Sequence, residues 1–138
     1  MKSFIKRFSN TPYEDIRREA RLQRRAAAIG ISPKVIRCNH TSIVMENVGE
    51  MSIADKYGEK IEDIPEWLKE DILDLLYTLY TVLAIEYVDV TPYNFIEKDG
   101  VVWIIDFGHA KNATYDLDPY LDEAFAEWNL TKWNPEFI

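Results

Sequence analysis

Ile85-Glu86-Tyr87-Val88-Asp89-Val90-Thr91-Pro92-Tyr93-Asn94-Phe95-Ile96-Glu97-Lys98-Asp99-Gly100-Val101-Val102-Trp103-Ile104-Ile105-Asp106-Phe107-Gly108 is the stretch that decides the fold. Two short apolar runs flank Asp99-Gly100, a dipeptide that favours the tight turn of a β-hairpin. The hairpin folds the chain back, so Asn94 at the start of its first strand and Asp106 beyond the end of its second finish close together. Asp89 sits on the loop just before. An amide and a carboxylate converging in this way suit Mg²⁺, a hard ion that takes such oxygens and shares the phosphates of ATP. Asp106 and Asn94 are therefore the candidate metal ligands. Asp89, five residues before Asn94, is the candidate base, placed to orient an attacking hydroxyl and accept its proton. Asp-Phe-Gly alone is also compatible with a capped turn and a solvated acid. The joint spacing of Asp89, Asn94 and Asp106 around a hairpin favours the site.

Tyr87-Val88-Asp89, Asn94 and Asp106-Phe107-Gly108 resemble the catalytic and metal-binding loops of the protein-kinase-like superfamily. Its members show His/Tyr-x-Asp-x-x-x-x-Asn followed by Asp-Phe-Gly, and tyrosine here stands where histidine is usual. Upstream, Arg18-Glu19-Ala20-Arg21-Leu22 followed by Gly30-Ile31-Ser32-Pro33-Lys34-Val35 resembles the small atypical kinases of the KEOPS and RIO type. Those carry a Glu-Ala-Arg-like run on a helix and then a Gly-Val/Ile-x-x-Pro turn, here one residue shorter. The resemblance covers roughly residues 3 to 128. It implies an α+β, minimal protein-kinase-like bilobal fold: one domain over residues 1–138, with a reduced N-lobe (1–46) and a short helical C-lobe (47–138). It also implies phosphoryl transfer from Mg-ATP to a serine/threonine-type protein substrate, or ATP hydrolysis within a complex.

Residue by residue, the resemblance assigns Lys6 to the ATP phosphates and Glu19 to orienting Lys6. It assigns Glu46, Asn47 and Val48 to the hinge whose backbone groups meet adenine. The local pattern agrees. Phe4-Ile5-Lys6-Arg7-Phe8 reads as a short strand with Phe4, Lys6 and Phe8 on one face. Thr11-Pro12-Tyr13-Glu14 reads as a helix start with a Thr cap, and the helix should run to Ile29 and stop at Gly30. Ile16, Ala20, Gln23 and Ala27 share one stripe of it, and Glu19 lies on that stripe. A carboxylate beside a buried face needs a partner. Positions three and four away hold Asp15, Ile16, Leu22 and Gln23, none of them basic, so Lys6 is the natural one.

At 138 residues, 47% hydrophobic and 13% aromatic, the chain can bury one real core, and two domains would be hard to fit. No apolar run approaches a membrane span and Met1-Lys2-Ser3-Phe4-Ile5-Lys6-Arg7 lacks a signal-peptide core, so a cytoplasmic protein with no membrane partner is expected. The single cysteine, Cys38, can form no intramolecular disulfide. Residues 1 to 37 hold ten Lys or Arg against three acids, whereas the rest hold six against twenty-one. A basic first part facing an acidic second part suggests either attraction between lobes or a basic face for an anionic partner. Arg17, Arg18, Arg21, Arg24 and Arg25 read as a solvated helix face. Five arginines without interleaved aromatics give little reason to expect nucleic acid unless a partner brings it.

Further along, Pro33 to Ile36 and Ser42 to Met45 read as strands and Ser52 to Tyr57 as a short helix. Gly58 to Ile64 is a polar linker. Pro65 opens a long helix to about Glu86, with Leu68, Ile72, Leu75, Leu76, Leu79, Val82 and Leu83 on a 3.6-residue period. Trp67, Tyr77 and Tyr80 are expected in its core or at its rim. Asp118-Pro119 starts a final helix with Leu121, Ala124, Phe125 and Trp128 on one face. His40 and His109 have no metal-ligand partner at useful spacing.

None of the five glycines forms the glycine-rich loop that should precede Lys6 in a kinase-like chain. The expectation is a minimal kinase or ATPase with weak affinity for ATP, completed by a protein partner. The alternative is a non-catalytic kinase-like module that engages or regulates another protein. A small-molecule phosphotransferase of the aminoglycoside-kinase sort is the weaker third reading.

Overall fold

A computed structural model describes residues 2–87 and 90–112, together with Asn134 and Glu136. The final helix expected from Asp118 and the candidate base Asp89 lie outside the described residues.

The first part of the chain is a small antiparallel sheet carrying one helix. Strands β1 (Ser3–Arg7), β2 (Val35–Cys38) and β3 (Ser42–Glu46) pair in the order β1-β3-β2. Lys6 stands opposite Ile43 in the β1–β3 register. Helix α1 (Tyr13–Ala28) packs Ile16 and Ala20 onto Ile43 and Met45, with Phe8 and Val35 at the margin. Burying each of the larger side chains, Ile16, Ile43 and Met45, is worth about 1.5–3 kcal/mol. The expected Thr11 cap does not form. The Thr11 hydroxyl donates to the Ser9 carbonyl, and Pro12 is the first flanking residue, its carbonyl accepting from Asp15 and Ile16.

One stripe understates what α1 buries. Leu22 and Ala26 are fully covered, but by the second core rather than the sheet, because the helix is sandwiched between the two. Ala27, expected on the buried stripe, is only half-buried. Strand β2 begins at Val35, later than expected, because Pro33 is drawn inward. Its carbonyl accepts a hydrogen bond from the buried Gln23 side chain at 2.9 Å.

The second part is built on α3 (Glu66–Leu83), preceded by α2 (Ile53–Tyr57) and a 3-10 turn over Ile61–Asp63 within the polar linker. Ser52 caps α2 by accepting from the Asp55 amide. Leu68, Ile72, Leu75, Leu76, Leu79 and Tyr80 are buried as the period requires. The helix ends at Leu83, short of Glu86, because Ala84 takes the left-handed conformation (φ 53°) and turns the chain into β4 (Ile85–Glu86), which pairs with β7 (Lys111–Asn112). Val82 and Trp67 are exposed.

The hairpin forms as expected. β5 (Phe95–Lys98) and β6 (Val101–Ile104) pair Lys98 with Val101 across a two-residue turn. Asp99 and Gly100 sit at φ 53° and 79°, the positive values that a primed turn demands. Three links join hairpin, helices and sheet. The Ile104 amide donates to the Ile31 carbonyl at 2.9 Å, and the Ser32 hydroxyl donates to the Ile104 carbonyl at 2.8 Å. The Arg25 guanidinium donates both to the Leu83 carbonyl at the end of α3 and to the Asn112 side chain. A cation on the last carbonyls of a helix is stabilising through the helix dipole.

Candidate nucleotide and metal site

Period-2 alternation on β1 turns Lys6 toward α1, and one turn of α1 past Ile16 places Glu19 beneath it. Lys6 Nζ lies 2.5 Å from Glu19 Oε2 and 3.1 Å from Asp106 Oδ1, so one ammonium ties the sheet, the helix and the end of the hairpin together. The Glu19 side chain is only 6% exposed, that of Lys6 is 25% exposed and that of Asp106 is 40% exposed. This is a graded path from interior to solvent.

The electrostatics follow from that gradient. Burial works against the Lys6 ammonium, but Asp106 and Glu19 together outweigh it and hold its pKa above the ordinary lysine value. Burial raises the Glu19 carboxyl, and the bond and charge of Lys6 do not bring it back down. The two partners thus shift in the same direction. Glu19 pays more for burial than the pair returns to it, while Lys6 gains from two acids at once.

Asn94 closes a short 3-10 turn (Pro92–Asn94) that Thr91 caps by accepting from the Tyr93 amide, and the Asn94 carbonyl accepts from the Ile105 amide at 3.0 Å. With Phe95 opposite Ile104, this bond brings Asn94 beside the residue that precedes Asp106, as the hairpin argument required. Asp106 Oδ1 also accepts from the Gly108 amide at 2.8 Å. A Cβ on Gly108 would stand 3.1 Å from Asp106 Oδ1 and 3.3 Å from Glu19 Oε1. Glycine is there for close approach, not for an unusual φ.

Sequence reasoning did not assign Tyr87 a role. It is buried, donates its phenol to the Asp106 carbonyl at 2.5 Å and packs edge-on against Phe107, with Phe95 on another side. The signal was its position two residues before Asp89, where the resembling family has histidine, but the pattern does not say what the ring holds.

Glu46, Asn47 and Val48, the segment expected to form a hinge, line a cavity of about 190 Å³. Phe4, Met45, Ile96 and Ile105 give it apolar walls, and Glu46, Asn47 and Val48 give it a polar edge. The Asn47 amide continues the sheet by donating to the Lys2 carbonyl, and its side chain accepts from the Gly49 amide. Lys98 reaches across from the hairpin to the Val48 carbonyl at 2.8 Å. Among the described residues, no group of three or more His, Cys, Asp or Glu could hold a metal ion by itself. His40 packs against Tyr13 at a tilt of 39°, with centroids 4.0 Å apart, and His109 is exposed.

The sequence profile of the RIO domain matches residues 7–117, most of the chain. The chain belongs to the RIO domain family. The architecture agrees: a reduced kinase-like α+β domain in which a small sheet with one helix stands against a helical part carrying the hairpin. Among solved structures, the complex of Rv3197 with erythromycin from Mycobacterium tuberculosis is similar at a TM-score of 0.56 and 20% identity. The match covers 84% of this chain and 33% of that one, so this RIO domain spans about a third of its length. No curated protein matches. The RIO domain places the chain among atypical kinase-like proteins, a family that generally binds ATP with Mg²⁺. No helix among the described residues is long and apolar enough to cross a membrane.

Proposed function

We propose that this RIO domain binds Mg-ATP and transfers its terminal phosphoryl group to a protein hydroxyl, of the serine/threonine type. The observation that carries the reading is the Lys6 ammonium held between Glu19 and Asp106. Such a cation, fixed by a buried carboxylate and open on its far side, suits the phosphates of a nucleotide. The oxygens of Asp106 and Asn94 suit Mg²⁺, which completes its shell with phosphate and water. In this reading Lys6 takes phosphate oxygens, Glu19 positions Lys6, and Asp89 is the base at the acceptor hydroxyl. The cavity beside Glu46, Asn47 and Val48 takes the adenine, its apolar walls matching a flat ring. We further propose that residues 1–138 act as one kinase-like unit working on a partner protein in the cytoplasm.

Titration calorimetry with ATP and Mg²⁺ tests this, wild type beside Asp106→Ala, followed by ATP turnover and autophosphorylation in Asp89→Ala and Asp106→Ala. Binding lost in Asp106→Ala and turnover lost in both variants supports the reading. No heat in the wild type, or full turnover in both variants, would move the chain to a non-catalytic kinase-like module.

A further inference from the structure

The outer side of α1 carries a cationic groove that the proposed site does not use. Arg17, Arg21 and Arg24 recur at intervals of four and three residues, about 6 and 4.5 Å along the helix axis. Together with Tyr13 and Cys38 they line a cavity of about 180 Å³. A second cavity of about 260 Å³ shares Arg24 and extends to Lys34 at the start of β2. No acid lines either cavity. The neighbouring cations of the helix line neither cavity: Arg18 faces Asp15, and Arg25 is held by Leu83 and Asn112. Within the groove Arg17 meets Glu14 at 3.3 Å, a largely solvated contact worth little, while Arg21 and Arg24 have no partner among the described residues.

Arg21, Arg24 and Lys34, together with Arg17, which only the solvated Glu14 meets, ask for an anion whose charge also repeats along a line. Guanidinium groups suit phosphate oxygens in particular, through paired donors. The fold supplies the aromatic component that the arginine run itself lacks. His40, from the β2–β3 turn, packs against Tyr13 with the rings tilted by 39°, and Arg17 lies over the Tyr13 ring at 5.6 Å. An aromatic pair closing one end of a basic row is what a single strand needs, a charged track for its backbone and a face on which a base can stack. An acidic peptide would use the arginines but has no need of the rings.

We infer that the groove from Tyr13 through Arg17, Arg21 and Arg24 to Lys34 binds single-stranded nucleic acid by its phosphodiester backbone. The overall charge of −8 does not oppose this, because the positive charge is concentrated in the first 37 residues. Repulsion from the rest of the chain confines binding to this face.

The test is fluorescence anisotropy with a labelled single strand of about 15 nucleotides, as RNA and as DNA, in salt from about 50 to 200 mM. Wild type should bind with a log–log salt slope of roughly −2, from about −0.7 per phosphate neutralised by the three arginines. The triple variant Arg17→Gln/Arg21→Gln/Arg24→Gln should lose at least about tenfold in affinity and most of the slope. Tyr13→Ala should lose a few-fold with the slope kept, and Arg18→Gln should bind like wild type. Alkylation of Cys38 in the unmodified protein gives a readout that needs no variant, since bound strand should slow it. Absence of binding at the lowest salt, a triple variant that binds like wild type, or unprotected Cys38 would each overturn the inference. So would displacement of the strand by an equal charge of polyglutamate with Tyr13→Ala inert, which would assign the groove to an acidic peptide.

Discussion

Tyr87 holds the backbone of Asp106: its phenol donates to the Asp106 carbonyl while the ring packs against Phe107. The first residue of the proposed catalytic loop therefore fixes where the proposed metal ligand stands. Tyr87→Phe keeps the packing and removes the donor, leaving a partly buried carbonyl without that partner. The expected cost is about 1 kcal/mol in urea denaturation. A further expectation is weaker Mg-ATP binding out of proportion to that loss, measured by calorimetry. A variant equal to wild type in both would show that the ring alone positions the loop.

How much of this was legible in the sequence depends on how local the cause is. The hairpin was readable because Asp99-Gly100 sets two positive φ values by itself. The Lys6–Glu19 pair was readable because Glu19 had no basic neighbour on its own helix. Leu22 and Ala26 were not, since helical period marks one stripe and α1 packs on two sides. Thr11 failed as a cap because Pro12 takes the position that flanks the helix, which leaves Thr11 one residue too far out. The Tyr13–His40 pair joins residues 27 positions apart in sequence, which no local pattern records.

Removing one member of the Lys6–Glu19 pair should be asymmetric. Lys6→Met strands a carboxylate that is 6% exposed, and the expected loss is about 2 kcal/mol. This is below the 3–5 kcal/mol typical of a fully buried pair, because Lys6 is 25% exposed and Glu19 already favours its proton. Glu19→Gln mimics that protonated form and should cost no more than about 1 kcal/mol. Denaturation midpoints with the opposite ranking would refute the account of the pair.

The pH dependence separates three groups by sign. Lys6 has its pKa raised, so its contribution is complete below the unfolded lysine value of about 10.4 and is lost as pH rises through the higher folded value. Glu97, lowered mainly by its bond to Lys56, contributes above the ordinary glutamate range and loses that contribution as pH falls. Glu19 is raised, so acid relieves its cost instead. Stability curves for Lys6→Met should lack part of the alkaline loss, Lys56 beside Glu97 keeping its own share, and those for Glu97→Gln should lack part of the acid loss. An unchanged alkaline limb in Lys6→Met would count against the site's charge balance.

Gly100 tests the turn in isolation. Nothing lies within 4 Å of a Cβ built there, so Gly100→Ala meets no clash and its cost is conformational, from φ 79°. About 1 kcal/mol is expected, and Gly100→Asn should recover much of it because asparagine tolerates the left-handed region. Equal stability of alanine and glycine at this position would mean that the turn relaxes to another type.

Gly108 is the converse case, where the backbone is ordinary and the space is not. A methyl group at 3.1 Å from Asp106 Oδ1 and 3.3 Å from Glu19 Oε1 is tighter than ordinary contact, and both neighbours are held by Lys6. Either carboxylate can yield only by lengthening its bond to the ammonium. Gly108→Ala should therefore leave global stability within about 1 kcal/mol, since no positive φ is strained and the residue is exposed. It should weaken Mg-ATP binding by about tenfold, because 1.4 kcal/mol of misplacement at the phosphate and metal groups suffices for that. Calorimetric titration beside urea denaturation reads the two effects separately. Binding at wild-type strength would show that the proposed site tolerates movement of Asp106, and that its ligand does not rest on this carboxylate.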